Sequence, residues 1–248
     1  MFAGLESQAA IDAGATEQAL TLAREYLRGP EHTGLLSGAL YGEALSLLAA
    51  QGHEAAADER ERLRWWLLRW SPRHDSGVVY ATSDSAEVRA VSIYSVVPML
   101  VLTRDFAPAD MQYRMHREHL WDVASGQYRD RFDVEGASAL HDTATAQGSG
   151  WAAAAIARAL HLGGDETPAQ MRDRWQRETR TLLDACVDVA EPDAAAKLAY
   201  AAYTGVADGW LPDSSLSRAD AWAASALDVT TASGRAFVAM AHAARSRR

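Results

Sequence analysis

Acidic side chains and a histidine crowd one short stretch of the sequence. Asp130, Asp133, Glu135, His141 and Asp142 lie close together along the chain. Carboxyl groups held near one another repel when ionised, so one of them can keep its proton at higher pH and act as an acid. His141 beside Asp142 could form an oriented imidazole that accepts a proton. The alternatives are a solvated acidic loop and a helix-capping Asp142 beside an exposed histidine.

Tryptophans form a second group of candidates. Trp151 and Trp210 each follow or sit in a glycine-containing loop at the end of a predicted helix. An indole ring in such a place could stack on the flat face of a ligand, with packing in the core as the alternative. Trp66 and Trp70 lie one helical turn apart beside leucines, which predicts core packing for both.

The elements that must position these residues are helices. Apolar residues recur mainly at three- and four-residue spacing, and Ala, Leu, Arg and Glu dominate, which predicts an almost wholly helical fold with little strand. Glycine and proline punctuate the pattern, and no linker is long enough to separate domains, so we expect one domain over residues 1–248. The predicted helices are 6–28, 35–51, 54–70, 84–103, 109–122, 144–162, 168–189, 193–204, 217–227 and 231–246.

Two helix boundaries carry local signals. In 83-SDSAE-87, Ser83 or Asp84 could cap a helix while Glu87 reaches back to it, which places a helix start near residue 85. The pair Gly163 and Gly164, followed by an acidic segment with a proline, indicates that two helices meet there as an antiparallel hairpin. Repeated hairpins of this kind favour a toroid or solenoid.

Composition limits the classes of function. The 248 residues are 48% hydrophobic and carry 24 Lys+Arg against 33 Asp+Glu, a net charge of −9, which argues against nucleic acid as a partner. The single cysteine, Cys186, excludes an internal disulfide. The first residues lack the pattern of a signal peptide. The longest apolar runs are too short to cross a bilayer. We therefore expect a cytoplasmic protein that does not enter a membrane. Its oligomeric state stays open.

Three segments in order resemble motifs of one enzyme family. They are 119-HLWDVASGQYRDRFDVEG-136, 145-TAQGSGW-151 and 233-SGRAFVAMAHA-243. Each is similar to a motif of the unsaturated glucuronyl and rhamnogalacturonyl hydrolases, members of the six-hairpin glycosidase group. The resemblance implies a shortened all-α (α/α) barrel of helical hairpins, with a carbohydrate-binding cleft formed by the loops at one end.

The residues that carry the chemistry of that family are changed in this sequence. The family's aspartate protonates the double bond of an unsaturated uronic acid, and the similar segment here, 91-VSIYSVVPML-100, has Val91 and Ser92 at the acidic positions. Neither side chain can supply that proton. The arginine of the second motif falls on Gln147 and the histidine of the first on Asp130. The positions that are kept are Asp133, Gly148, Gly150 and Trp151.

These changes predict a reassigned small-molecule site. The candidate catalytic residues are Asp133, Asp142, His141 and Asp130, and the candidate substrate-binding residues are Ser92, Tyr94, Gln147, Trp151 and Trp210. The leading hypothesis is an enzyme of bacterial specialised metabolism that hydrates, isomerises or cyclises an unsaturated substrate by acid–base chemistry. The alternatives are a catalytically inactive module that binds a glycan or a partner, and an active uronyl hydrolase in which Asp84 supplies the acid.

No metal or other cofactor is expected. His116 and His119 lie three residues apart on a predicted helix, but no carboxylate or cysteine pattern completes a metal site with them. The segment 34-GLLSGALYGEALSLL-48 resembles the lanthionine cyclases, whose zinc needs cysteine and histidine ligands. Cys186 has no adjoining histidine, which argues against that family.

Overall fold

The computed structural model describes residues 2–29, 35–82, 86–136, 138–139 and 144–247. Helices dominate this part of the chain, as predicted. None of them is both long and apolar enough to span a membrane. The α-helices are α1 (Phe2–Asp12), α2 (Thr16–Arg28), α3 (Leu35–Ala39), α4 (Gly42–Ala50), α5 (Glu54–Trp65), α6 (Ala90–Leu102), α7 (Phe106–Leu120), α8 (Ala146–Gly163), α9 (Ala169–Ala185), α10 (Pro192–Ala207), α11 (Leu216–Ser225) and α12 (Ala232–Ser246).

The helices form a closed double ring. The inner ring runs α1, α3 with α4, α6, α8, α10 and α12, and α12 packs on α1 to close it. Each of α2, α5, α7, α9 and α11 packs outside the inner helix that precedes it. α11 also reaches α12, where Asp220 forms a 3.0 Å ion pair with Arg245. The predicted all-α toroid of helical hairpins is therefore confirmed.

Short strands lie in the connections at one end of the ring. β1 (Glu87–Arg89), β4 (Arg131–Asp133) and β5 (Ser138–Ala139) form an antiparallel sheet with β4 in the centre. β2 (Trp121–Asp122) pairs with β3 (Gln127–Tyr128) as a hairpin. The backbone N–H of Ala90 donates to the carbonyl oxygen of Asp130, so this sheet is attached to the start of α6.

The start of α6 differs from its prediction. Glu87 pairs with Asp133 across β1 and β4, and its carboxylate forms an ion pair with Arg89, so it caps no helix. The helix begins only at Ala90. Sheet pairing has outweighed the local helical pattern of residues 87–89, and Ser83 and Asp84 lie outside the described residues.

Three predicted long helices are interrupted. The expected helix 6–28 is divided after α1, where Gly14 adopts φ = 74°, a left-handed conformation that favours glycine. The expected helix 35–51 is divided between α3 and α4. The expected helix 54–70 ends in a π-helical turn, Trp66–Trp70. At the other predicted boundary, Gly163 ends α8 and a 3₁₀ turn (Gly164–Glu166) leads into α9, so the predicted hairpin is present.

Buried aromatic side chains fill the interior of the ring below the sheet. Tyr94, Phe237 and Tyr200 are completely buried, from α6, α12 and α10. The ring of Phe237 lies 5.2 Å from that of Tyr94 and 5.6 Å from that of Tyr200, between centroids. The barrel therefore has a packed interior, and ligand access is confined to its ends and its outer surface.

Candidate functional site at the mouth of the barrel

The first turns of three inner helices meet at one end of the ring, which we call the mouth. Thr145 caps α8 by accepting a hydrogen bond from the N–H of Gly148, and Thr231 caps α12 by accepting one from Gly234. Pro192 begins α10, where its missing N–H leaves no unpaired donor. The helix starts are thus fixed locally, and each presents polar side chains to the same place.

The carboxylate of Asp193, on α10, lies at the centre of the mouth. It accepts hydrogen bonds from Gln147 Nε2 on α8 and from the ammonium of Lys197 one turn along α10. Its other oxygen accepts from the hydroxyls of Thr231 at 2.5 Å and Ser233 at 3.0 Å, both on α12. We call these five residues the Asp193 cluster. They tie α8, α10 and α12 together.

Asp193 is held as an anion. Burial by itself would raise the pKa of its carboxyl, but the charge of Lys197 and the hydrogen bonds from Lys197, Thr231 and Gln147 outweigh burial and lower the pKa to about 2. The same bonds occupy the lone pairs of both oxygens. Asp193 therefore has neither a proton to give at neutral pH nor a free oxygen to accept one.

Lys197 is completely buried beneath this carboxylate. Its ammonium lies 4.3 Å from the ring centroid of Trp151 and 5.4 Å from that of Phe237, an arrangement that favours a cation. It also donates to the backbone oxygen of Asp193 at 3.1 Å. Burial lowers the pKa of Lys197, and Asp193 opposes that shift, so the cation is kept by its partner. The ring of Trp151 thus packs directly against the buried ion pair of Lys197 and Asp193.

Two further carboxyl groups lie around the cluster. Glu191, immediately before α10, is exposed at the rim. Its pKa is raised, first by partial loss of solvent and then by the charges of Asp193 and Asp130, while Lys197 opposes the shift. Asp130 is half-buried and forms a 3.4 Å ion pair with Arg131. The mouth therefore combines Glu191, whose carboxyl retains its proton to higher pH, with Asp193, whose carboxylate stays ionised.

The predicted site residues divide into two sets. Gln147 and Trp151 lie at the Asp193 cluster, and Asp130 lies at its rim. Asp133 lies farther along the sheet, where its carboxylate accepts a hydrogen bond from the N–H of Gly136. His141 and Asp142 lie outside the described residues. The acidic loop is thus brought to the mouth through Asp130, with Asp133 at a distance from Lys197.

Three further predicted substrate-binding residues, Ser92, Tyr94 and Trp210, lie outside the Asp193 cluster. Ser92 is 1% exposed and Tyr94 is 0% exposed, and the hydroxyl of Tyr94 donates to Gln8 at 3.0 Å inside the barrel. Trp210 follows the C-terminal end of α10, so the length of that helix, roughly 24 Å, separates it from the mouth. All three side chains are buried, and their role in substrate binding stays a prediction.

Sequence reasoning missed the residues that organise the mouth. Asp193 and Lys197 are four residues apart in 192-PDAAAKLAYAAY-203, an otherwise apolar helix. A lysine among alanines with an aspartate one turn before it is the pattern of a buried i, i+4 ion pair. That signal could have identified both residues. Thr231 and Ser233 could have been found only through the capping position of α12.

The histidine pair does not form a metal site. His116 is completely buried, its Nδ1 bonds to the backbone oxygen of Gln112 at 2.8 Å, and burial lowers its pKa to about 4. Among the residues that the structure describes, no group of three histidine, cysteine or carboxylate side chains is placed to hold a metal ion.

Comparison with solved structures identifies the architecture. No family model matches this sequence, and no curated protein matches it significantly. A possible member of glycoside hydrolase family 105 from Klebsiella pneumoniae superposes with a TM-score of 0.82 at 15% identity, over 98% of this chain and 80% of that one. A possible member of the same family from Salmonella enterica gives 0.81 at 14% identity, over 98% and 82%.

A third structure extends the likeness to another glycosidase family. The glycosyl hydrolase family 88 protein from Bacteroides vulgatus superposes with a TM-score of 0.73 at 13% identity, over 99% of this chain and 91% of that one. Identities this low establish the fold alone. The resemblance inferred from the sequence motifs is confirmed at that level: the chain has the (α/α)-barrel fold of the six-hairpin glycosidase group.

Proposed function

We propose that the protein is an acid–base enzyme for a small, hydroxyl-rich or unsaturated substrate that binds at the mouth of the barrel. Glu191 is its proton donor and Asp130 the nearby carboxylate. The observation that carries this proposal is the position of Glu191 at the mouth, two residues before the Asp193 carboxylate that the hydrogen bonds of its cluster hold as an anion. Partial loss of solvent and the charge of Asp193 raise the pKa of Glu191, whereas the pKa of Asp193 falls to about 2. Neighbouring carboxyls whose pKa values differ in this way serve as acid and as fixed anion in enzyme sites.

The simplest reaction for this pair is hydration of a carbon–carbon double bond. Glu191 gives its proton to one carbon, and the cation formed on the other carbon takes up water. The bound water then loses a proton to Asp130, and return of that proton to Glu191 restores both groups. Isomerisation or cyclisation would begin with the same protonation and end with loss of a substrate proton or attack by a substrate hydroxyl.

The charges at the mouth favour a neutral substrate. The Asp130 carboxylate would repel an anion, and the ammonium of Lys197 is already paired with Asp193 and completely buried. Gln147, at the position of the family's arginine, carries no charge and is itself bonded to Asp193. A cytoplasmic location and a role in specialised metabolism remain predictions from the sequence.

Substitution of Glu191 tests the proposal. We expect the wild-type protein to hydrate a neutral unsaturated sugar such as glucal, and Glu191→Gln to reduce kcat by about 100-fold or more, the usual contribution of a general acid. Activity should decline as pH rises through the raised pKa of Glu191, because the acid form is then lost. Loss of the vinyl proton signals in NMR spectra would report turnover.

A matched variant separates charge from chemistry. Glu166→Gln removes another exposed carboxylate at the other end of the barrel, where it pairs with Arg104, and should leave kcat unchanged. Undiminished turnover by Glu191→Gln would refute the assignment. If Asp133→Asn and Asp142→Asn each turn over the substrate at the wild-type rate, these acidic-loop residues are excluded as the catalytic residues predicted from the sequence. Turnover of an unsaturated uronyl disaccharide, abolished in Asp84→Asn, would instead favour the original hydrolase activity.

A binding module without catalysis is the second candidate, and the packed interior favours it. Tyr94, Phe237 and Lys197 are all completely buried directly below the mouth, so a ligand there would rest on a shallow polar floor. In that case the wild-type protein and Glu191→Gln would bind the same glycan with equal affinity, measured by titration calorimetry, and neither would convert it.

A further inference from the structure

A cavity of about 280 Å³ lies on the outer side of the barrel and shares no lining residue with the Asp193 cluster. Its walls come from α9, α11 and the 3₁₀ turn Asp213–Ser215 that leads into α11. Leu183, Ala202 and Leu211 give it an apolar base. A volume of this order is at the lower end for small-molecule sites, so any ligand would be about the size of a single sugar.

One wall of the cavity contains a buried hydrogen-bond donor without an acceptor. Trp222 is 2% exposed, and its Nε1–H has no partner among the residues that the structure covers. A buried donor left unpaired costs about 1–3 kcal/mol, so an acceptor supplied by a ligand would stabilise this region. The serine hydroxyls of Ser214, Ser215 and Ser217 line the same cavity and can donate or accept.

Two guanidinium groups give the cavity a positive charge. Arg218 uses Nη1 for the backbone oxygen of Leu183 and the carboxylate of Asp184, at 3.1 and 2.7 Å. Arg180 uses Nε and Nη2 for the backbone oxygen of Trp210. Within the described ranges their remaining N–H groups have no acceptor. Asp184 offsets only one of the two cations, in a protein whose net charge is −9.

We propose that this cavity binds a small organic carboxylate that also carries hydroxyl groups. The carboxylate would accept hydrogen bonds from Arg218 and Arg180, which suit its planar geometry. The serine hydroxyls and the indole N–H of Trp222 would bind the hydroxyl oxygens, and the carbon chain would lie on Leu183 and Leu211. A simple inorganic anion would leave the apolar base and the serines without contacts. The site is independent of Glu191 and of the mouth.

Three six-carbon probes test each part of the recognition. Gluconate has the carboxylate and the hydroxyls, sorbitol has only hydroxyls, and hexanoate has only the carboxylate. Titrations followed by NMR at low salt should show saturable binding of gluconate with a Kd below about 10 mM, and weaker or no binding of the other two. Arg218→Gln should weaken gluconate binding by about tenfold or more, since it removes a charged hydrogen bond.

Two variants serve as comparison and control. Trp222→Phe keeps the aromatic packing and removes only the N–H, so roughly three- to tenfold weaker binding is expected. Arg114→Gln makes the same change of charge as Arg218→Gln at an exposed position on α7 and should bind gluconate as the wild type does. Absence of saturable gluconate binding, or equal affinity in wild type and Arg218→Gln, would overturn the proposal. Loss of binding in Glu191→Gln with retention in Arg218→Gln would place the ligand at the mouth and overturn it equally.

Discussion

At the scale of single residues, the buried ion pair of Asp193 and Lys197 affects the stability of the protein whether or not a substrate binds. Both side chains are withdrawn from solvent, at 8% and 0% exposure, and each depends on the other to remain charged. Replacing one member of such a pair leaves an uncompensated charge inside the protein, whereas replacing both can be nearly neutral. The pair therefore makes a prediction that does not depend on any substrate.

We expect Asp193→Asn to lower the free energy of unfolding by about 3–5 kcal/mol, because Lys197 stays buried without its counter-charge. The double variant Asp193→Asn/Lys197→Met should lose less than the sum of the two single variants. Urea denaturation of all three proteins gives the comparison. The exposed Glu17→Gln, which breaks a 3.8 Å surface ion pair, should change stability by less than about 1 kcal/mol. Additive losses would show that the pair is not coupled.

At the scale of elements, glycines set how closely the helix starts approach the loops of the mouth. A Cβ on Gly148 would lie 2.6 Å from the backbone oxygen of Tyr128, so α8 could not keep its contact with β3. A Cβ on Gly150 would meet its nearest atoms at 3.2 Å. Both residues belong to the motif that first indicated the fold, and their role here is close packing.

The two glycines give a graded prediction. Alanine raises the intrinsic stability of a helix at either position, so a loss of stability must come from contacts. Gly148→Ala should destabilise the protein by about 1–3 kcal/mol, as overpacking against backbone does, and Gly150→Ala should cost less. Thermal unfolding of the two variants would show the order. A reversed order, or two stabilised proteins, would contradict this account of the mouth.

The sequence predicted elements better than their junctions. Helical periodicity identified the inner and outer helices, and the motif glycines located the mouth. The start of α6 was misplaced because Glu87 to Arg89 are held by pairing with β4, which local pattern does not record. The sequence did not indicate that Trp210 lies at the end opposite the mouth, because a glycine-containing loop has the same appearance at either end of a barrel. Asp193 and Lys197 were not predicted because the pair lies inside a helix, away from the loops that carry the motif residues.

At the scale of the whole molecule, the ring must be closed by contacts between helices distant in sequence. Arg158 on α8 makes such contacts at the barrel axis. It donates to Asp12 on α1 at 2.6 Å, to Glu43 on α4 at 2.8 and 2.6 Å, and to the hydroxyl of Tyr200 on α10 at 3.2 Å. Its side chain is 0% exposed and those of Asp12 and Glu43 are 4% and 11% exposed. One guanidinium thus joins four inner helices.

Removal of Arg158 should therefore act on the whole ring. Arg158→Met keeps much of the side-chain volume and leaves two carboxylates buried without a cation, so we expect a loss of about 3–5 kcal/mol in the free energy of unfolding. Arg104→Met, which breaks the exposed 2.7 Å ion pair with Glu166, is the control and should cost less than about 1 kcal/mol. Chemical denaturation at neutral pH would measure both losses. A loss in Arg158→Met no larger than that in Arg104→Met would indicate that the charge of Arg158 makes no net contribution to closure of the ring.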